Sequence, residues 1–144
     1  MVFKDRFLKN IKGNVAIEFA IVIPFLFILL SGIMNFGLIL ANQNQLNSIV
    51  SAGILYAAGH DKTTSEVEAV MQGVTSMSSL NIEVSDSCQC LGGGSVACSS
   101  TCPEGGTPGR YITAKATSEV DLLAPAFIID NPFPTSSQGT IRTE

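Results

Sequence analysis

Histidine occurs once, as His60, and the basic residues beyond Ala41 number only four: Lys62, Arg110, Lys115 and Arg142, scattered against ten acids. Phosphate binding needs clustered Lys and Arg, so this portion argues against a nucleic-acid partner. A lone histidine with no second histidine or cysteine near it in sequence reads as a cap or a surface group, and His60 is assigned no chemistry. No nucleophile elbow, pair of catalytic acids, metal triad or cofactor fingerprint occurs, which points away from an enzyme and from any bound cofactor. The run Gly92-Gly93-Gly94 leads into SVACSST without the Lys and Ser/Thr of a phosphate-binding loop, so it reads as a flexible turn.

Charge is also missing from Phe19 to Ala41. At about 1.5 Å per helical residue that run covers roughly 35 Å, enough for the roughly 30 Å hydrocarbon core of a bilayer. One acid, Glu18, precedes it, and before that lie Gly13 and a leader carrying Lys4, Arg6, Lys9 and Lys12 against Asp5. Basic flanks are retained on the cytoplasmic side, so the reading is a single pass with residues beyond Ala41 exported. An ordinary secretory signal is the competing reading. Its apolar run would be about 7–15 residues, shorter than the one here, which also contains Pro24. Pro24 removes a backbone donor and crowds the Ala20 carbonyl, so a bend or a loosened turn is expected there.

Beyond Asn42 the composition turns polar. Leu46, Ile49, Val50, Gly53, Ile54 and Ala57 nevertheless keep helical spacing, predicting that the helix leaves the membrane with one apolar face and Asn47 on the opposite one. Gly59 ends the pattern. Ser65 to Glu68 spells a capping box for a second helix with Val67, Val70, Met71, Val74 and Met77 inward. Alternation at Leu80, Ile82 and Val84 predicts a strand, Tyr111–Leu122 a second and Gly139–Thr143 a third. The proline-broken stretch 124–134 between them reads as a loop with apolar contacts through Phe127, Ile128 and Phe133. The expected class is α+β: a long N-terminal transmembrane helix continuing outward, then a small head of one helix and a three-stranded antiparallel sheet. The division expected is 1–13 leader, 14–60 transmembrane and extended helix, and 61–144 head with a cysteine loop at 88–102.

Cys88, Cys90, Cys98 and Cys102 lack the paired C-x-x-C spacing of metal knuckles, and no histidine lies among them. In an exported head they read as two disulfides, with zinc as the alternative. Cys88 and Cys90 are too close to pair comfortably, so each reaches to Cys98 or Cys102, by a route the spacing leaves open.

The constellation GNVAIEFAIVIP with a later NFG, then QLNSIVSAGILYAAG, resembles the TadE-like pseudopilins of the tight-adherence (Tad, or Flp) type IV pilus system. The resemblance runs from about Lys9 to Tyr56, with a weaker echo in RYITAKATSEV and IRTE. It implies cleavage after Gly13 by a prepilin peptidase, a mature chain beginning at Asn14, and Glu18 at the fifth mature position. The helix-contact positions expected are Glu18, Asn35, Gly37, Ile49 and Ile54: Gly37 is small enough for close approach of a helix, and the stripe through Ile49 and Ile54 reads as docking the head or packing laterally. The partners implied are the peptidase, a major Flp-type pilin, sibling pseudopilins and the inner-membrane assembly platform, in a bacterial inner membrane. Where the family often has a second acid before Phe-Gly, this chain has Asn35, which hydrogen-bonds without charge. The function implied is a minor pilin. The alternative is a membrane-anchored envelope protein whose cysteine loop binds metal or cycles its thiols.

Overall fold

The computed structural model describes residues 11–59, 62–77, 79–123 and 131–143. His60, most of the leader, and Phe127 and Ile128 of the apolar loop lie outside them. One helix dominates. α1, Ile11–Ala57, runs for 47 residues without a break through Pro24, a length of about 70 Å.

The two halves of α1 have different surroundings. From residue 16 to 30 every side chain is exposed, whatever direction it points, as an apolar helix in lipid requires. In the upper half the predicted stripe faces the head. Leu46, Ile49, Val50 and Ala57 are at most 4 % exposed, Gly53 is buried and Ile54 is half-buried.

The head is one antiparallel sheet covered on one face by α1 and α2 (Thr64–Gly73). Its strands are β1 (Asn81–Gln89), β2 (Ser95–Val96), β3 (Gly109–Val120) and β4 (Phe133–Arg142), in the order β2-β1-β3-β4. Four strands stand where three are expected. The addition is the two-residue β2, which pairs with Cys88 and Gln89. Cys88 therefore belongs to β1 itself, and the glycine run forms part of a tight hairpin closed by Gly93 N–H to Cys90 O and Cys90 N–H to Gly94 O.

The last strand is twice as long as expected: it takes in residues 133–138 as well, and the two residues that open it, Phe133 and Pro134, read as loop. The register explains the tolerance. Thr143 N–H bonds to Arg110 O, so alternate β4 residues back to Thr135 point their backbone groups at β3. Pro134 falls on the outward phase of an edge strand, where no ladder donor is lost.

Core side chains follow the pleat. Ile112, Ala114 and Ala116 of β3 are fully buried beneath the helices, while Tyr111, Thr113, Lys115 and Thr117 form a polar outer face. Small residues under the helices let them sit low on the sheet. At Gly139 a Cβ would lie 3.0 Å from Val50 Cγ1 and 3.0 Å from Ile54 Cγ1, so α1 rests directly on β4 backbone. At Gly53 a Cβ would lie 2.5 Å from Met71 Cγ, so α2 crosses α1 at the point where a side chain is missing.

α2 starts two residues earlier than the expected box. Thr63 is the N-cap, its Oγ1 accepting from Glu66 N–H and its own N–H donating to Glu66 Oε2. The helix ends at Gly73, so Val67 and Met71 are buried while Val74 lies beyond it, 54 % exposed.

Candidate functional site: the anchor helix and its docked head

Expected contact residues lie along α1, and the structure separates them into two groups. Glu18 is exposed on the bare half, about 7–8 Å along the axis from Gly13. Gly37 is exposed, with nothing near the position of a Cβ. Gly13 and Asn14 are helical in backbone, within α1. Glu18 and Gly37 are left uncovered by the described part of the head.

The other three meet the chain's own head. Ile49, 1 % exposed, is in the core with Leu46, Val67, Met71 and Ile112. Ile54 packs against that core and onto Gly139. Asn35 is 7 % exposed, and its Oδ1 accepts from Leu123 N–H at 3.1 Å. The amide that reads as a link to a neighbouring helix is thus a link to the turn after β3.

Above Asn35 a ladder of polar contacts, which the periodicity gives no hint of, ties α1 to β4. Asn42 Nδ2 donates to Thr135 Oγ1 at 2.6 Å, and that hydroxyl donates on to Ser118 O at 2.9 Å. Gln43 Nε2 donates to Ser136 O at 2.9 Å, covering a carbonyl on the sheet's free edge. Asn47 Oδ1 accepts from Ser137 Oγ at 2.7 Å, so Asn47 flanks the docked face instead of opposing it. The only trace of this in sequence is composition: NQNQLN is rich in amides at the point where the helix leaves the apolar run.

The four cysteines form two crossed bridges, Cys88–Cys98 and Cys90–Cys102, leaving no free thiol. Cys88 and Cys102 are buried while Cys90 is half-buried and Cys98 exposed, so each bridge staples the loop through one buried end. Among the described residues no group of histidine, cysteine and acid side chains is placed to hold a metal ion. Glu66, beside Thr63, has its carboxyl held below the usual value, chiefly by the Thr63 backbone N–H and then by its side chain.

A continuous rod, bare below and docked above, is the geometry of a membrane anchor carrying a head. Residues 13–54 match the model of the family described as TadE-like protein. Over that stretch the chain is similar to TadE-like proteins. The match takes in Gly13, Asn14, Glu18, Asn35, Gly37, Ile49 and Ile54 and stops where α1 nears its end. It covers the anchor and most of its extension and leaves the head outside, and the helix it covers is long and apolar enough to cross a membrane. No curated protein and no solved structure matches the chain.

Proposed function

We propose that this TadE-like chain is a minor pilin, a pseudopilin needed to build a Tad/Flp adhesion pilus. It is inserted with its N-terminus cytoplasmic and its head exported, and is processed after Gly13. The observation that carries the reading is the bare lower half of α1 within the family match: apolar on every side, it offers a helix to lipid and to other pilin helices in turn.

The processing step rests on Gly13 within α1, where glycine in a helix interior costs about 1 kcal/mol relative to alanine. The helix is weakened there, and the missing side chain permits close approach of a peptidase to the scissile bond. Cleavage gives Asn14 a cationic amine. In the low dielectric of the membrane its pairing with Glu18, of the same or a neighbouring subunit, is stronger than it is in water.

Mass spectrometry of the chain recovered from cells with an active pilus system tests this. The expected mature protein begins at Asn14; Gly13→Leu abolishes cleavage but not insertion; Glu18→Ala is still cut yet assembles poorly with the major pilin. Recovery of a chain that keeps its leader under those conditions defeats the reading.

A further inference from the structure

The head meets α1 at a level that fixes how deep the protein sits. Among the described residues the side chains from 16 to 30 and from 32 to 34 are exposed, and from Asn35 upward one side of the helix is covered. The charge-free run, however, continues to Ala41, and within it Phe36 is 61 % and Leu40 46 % exposed. If the head stood wholly in water, the charge-free lipid span would be Phe19 to Met34, about 24 Å, short of a hydrocarbon core of about 30 Å. A full core counted from Phe19 ends near residue 39, and an ordinary tilt carries it to about Leu40. Asn35 then lies about 6 Å beneath the outer hydrocarbon surface, and the turn bonded to it lies there too.

We infer that the Leu122–Leu123 turn is a foot that enters the outer leaflet beside α1, its partner being the acyl chains at the headgroup boundary. Two features of the turn suit lipid. Leu123, 72 % exposed, presents its side chain outward next to the bare helix, continuing the apolar surface of the anchor. The turn also leaves neither leucine donor open: Leu122 N–H donates to Asn131 Oδ1 at 3.1 Å and Leu123 N–H to Asn35 Oδ1 at 3.1 Å. Irregular backbone at membrane depth requires that satisfaction from protein, because hydrocarbon supplies none. Exposed Asp121, two residues before Leu123, sets the limit of entry and stays at headgroup level. Asn35 is then the residue that seals a backbone donor inside the leaflet, a task an amide performs without bringing in a charge.

The chain contains no tryptophan, so Leu123→Trp in the full-length protein gives a signal from this position alone. The protein is reconstituted in phosphatidylcholine/phosphatidylglycerol vesicles with acyl chains brominated near the headgroup or near the terminal methyl. The expected result is a blue-shifted emission quenched more strongly by the shallow bromines. Leu91→Trp, 92 % exposed in the cysteine loop at the far end of the sheet, should emit as in water and escape both quenchers. Adding Asn35→Leu to Leu123→Trp orphans the turn's N–H, so shallow quenching should drop. Retained hydrogen-exchange protection of the β3 amides checks that each variant is folded. Water-like, unquenched emission at position 123 overturns the proposal. So does blue-shifted emission that no brominated lipid quenches, which would mean that protein, a second copy or another subunit, covers the turn.

Discussion

Gly53→Ala tests the packing of the head on its rod, since two effects of known sign oppose each other there. Alanine is the better helix former by about 1 kcal/mol, and on an exposed face of α1 the change would stabilise. At this site the new Cβ falls 2.5 Å from Met71 Cγ and 2.6 Å from Met71 Sδ. Met71 is fully buried, so its side chain has no solvent to swing into, and overpacking of this kind costs about 1–3 kcal/mol. The net expectation is a loss of about 1 kcal/mol in the docking of α2, or roughly fivefold in its opening equilibrium. Hydrogen exchange of the α2 amides, measured on the full chain in mild detergent, reads that opening directly.

The decisive comparison is the same change in a Met71→Ala background. Truncation alone costs about 2–5 kcal/mol. It also removes the atoms in the way, leaving Val67 Cγ1 at an ordinary 3.5 Å. There Gly53→Ala should stabilise, giving a coupling of about 1–3 kcal/mol between the two positions. If Gly53→Ala shifts α2 protection equally in both backgrounds, the close crossing of α1 and α2 is not what requires glycine.

Ile49→Asp places an unpaired charge in the core and should cost about 3–5 kcal/mol, seen as lost exchange protection across β3, whereas Asn47→Asp keeps an acceptor for Ser137 and should be mild. Thr63→Ala should cost about 1 kcal/mol in α2 by removing its N-cap. Because Glu66 has a lowered folded pKa, its contribution is complete above the ordinary value of 4.5 and is lost as pH falls through the lower folded value. The difference in thermal stability between wild type and Glu66→Gln should therefore vanish in that acid window. Replacing Cys90 and Cys102 with serine opens a ring spanning a separation of 12 residues and should cost about 3 kcal/mol by chain entropy in urea titrations, while β3–β4 pairing survives.

The stripe on α1 was legible because helical periodicity reports a buried face directly, and Leu46 to Ala57 obey it. What that face buries against was not legible, since a stripe looks the same whether its partner is another subunit or the chain's own sheet. The start of β4 was hidden for a related reason: proline reads as a loop signal, and only the register shows Pro134 on the free edge. The capping box was ambiguous in a different way. TTSEVE spells it twice in overlap, and the chain takes the earlier start, which gives α2 two more helical residues. The contacts of Asn35, Asn42, Gln43 and Asn47 join residues about ninety positions apart. No local pattern encodes such a pairing, although an amide-rich stretch at a membrane boundary marks where to look for one.

The use of Ile49 and Ile54 inside the head limits how such a chain can join a filament. A neighbouring helix cannot reach that stripe without displacing β3 and β4, which would expose Leu46, Ile49, Val50 and Ile112 together. Burial of each large aliphatic side chain contributes about 1.5–3 kcal/mol, so the displacement would cost several kcal/mol before any new contact formed. In the proposed pilin role, assembly contacts by the rod come from the half below Asn35 and from the outward face of the half above it, where Asn44, Gln45, Ser48, Ser51 and Leu55 are exposed. The upper face is polar apart from Leu55, while the lower half is apolar on all sides, so strong helix-to-helix packing is confined to the membrane-level segment. Substitutions at Gly37 and within Phe19–Met34 should then act on assembly without loosening the head, and substitutions at Ile49 should act on assembly only by unfolding it.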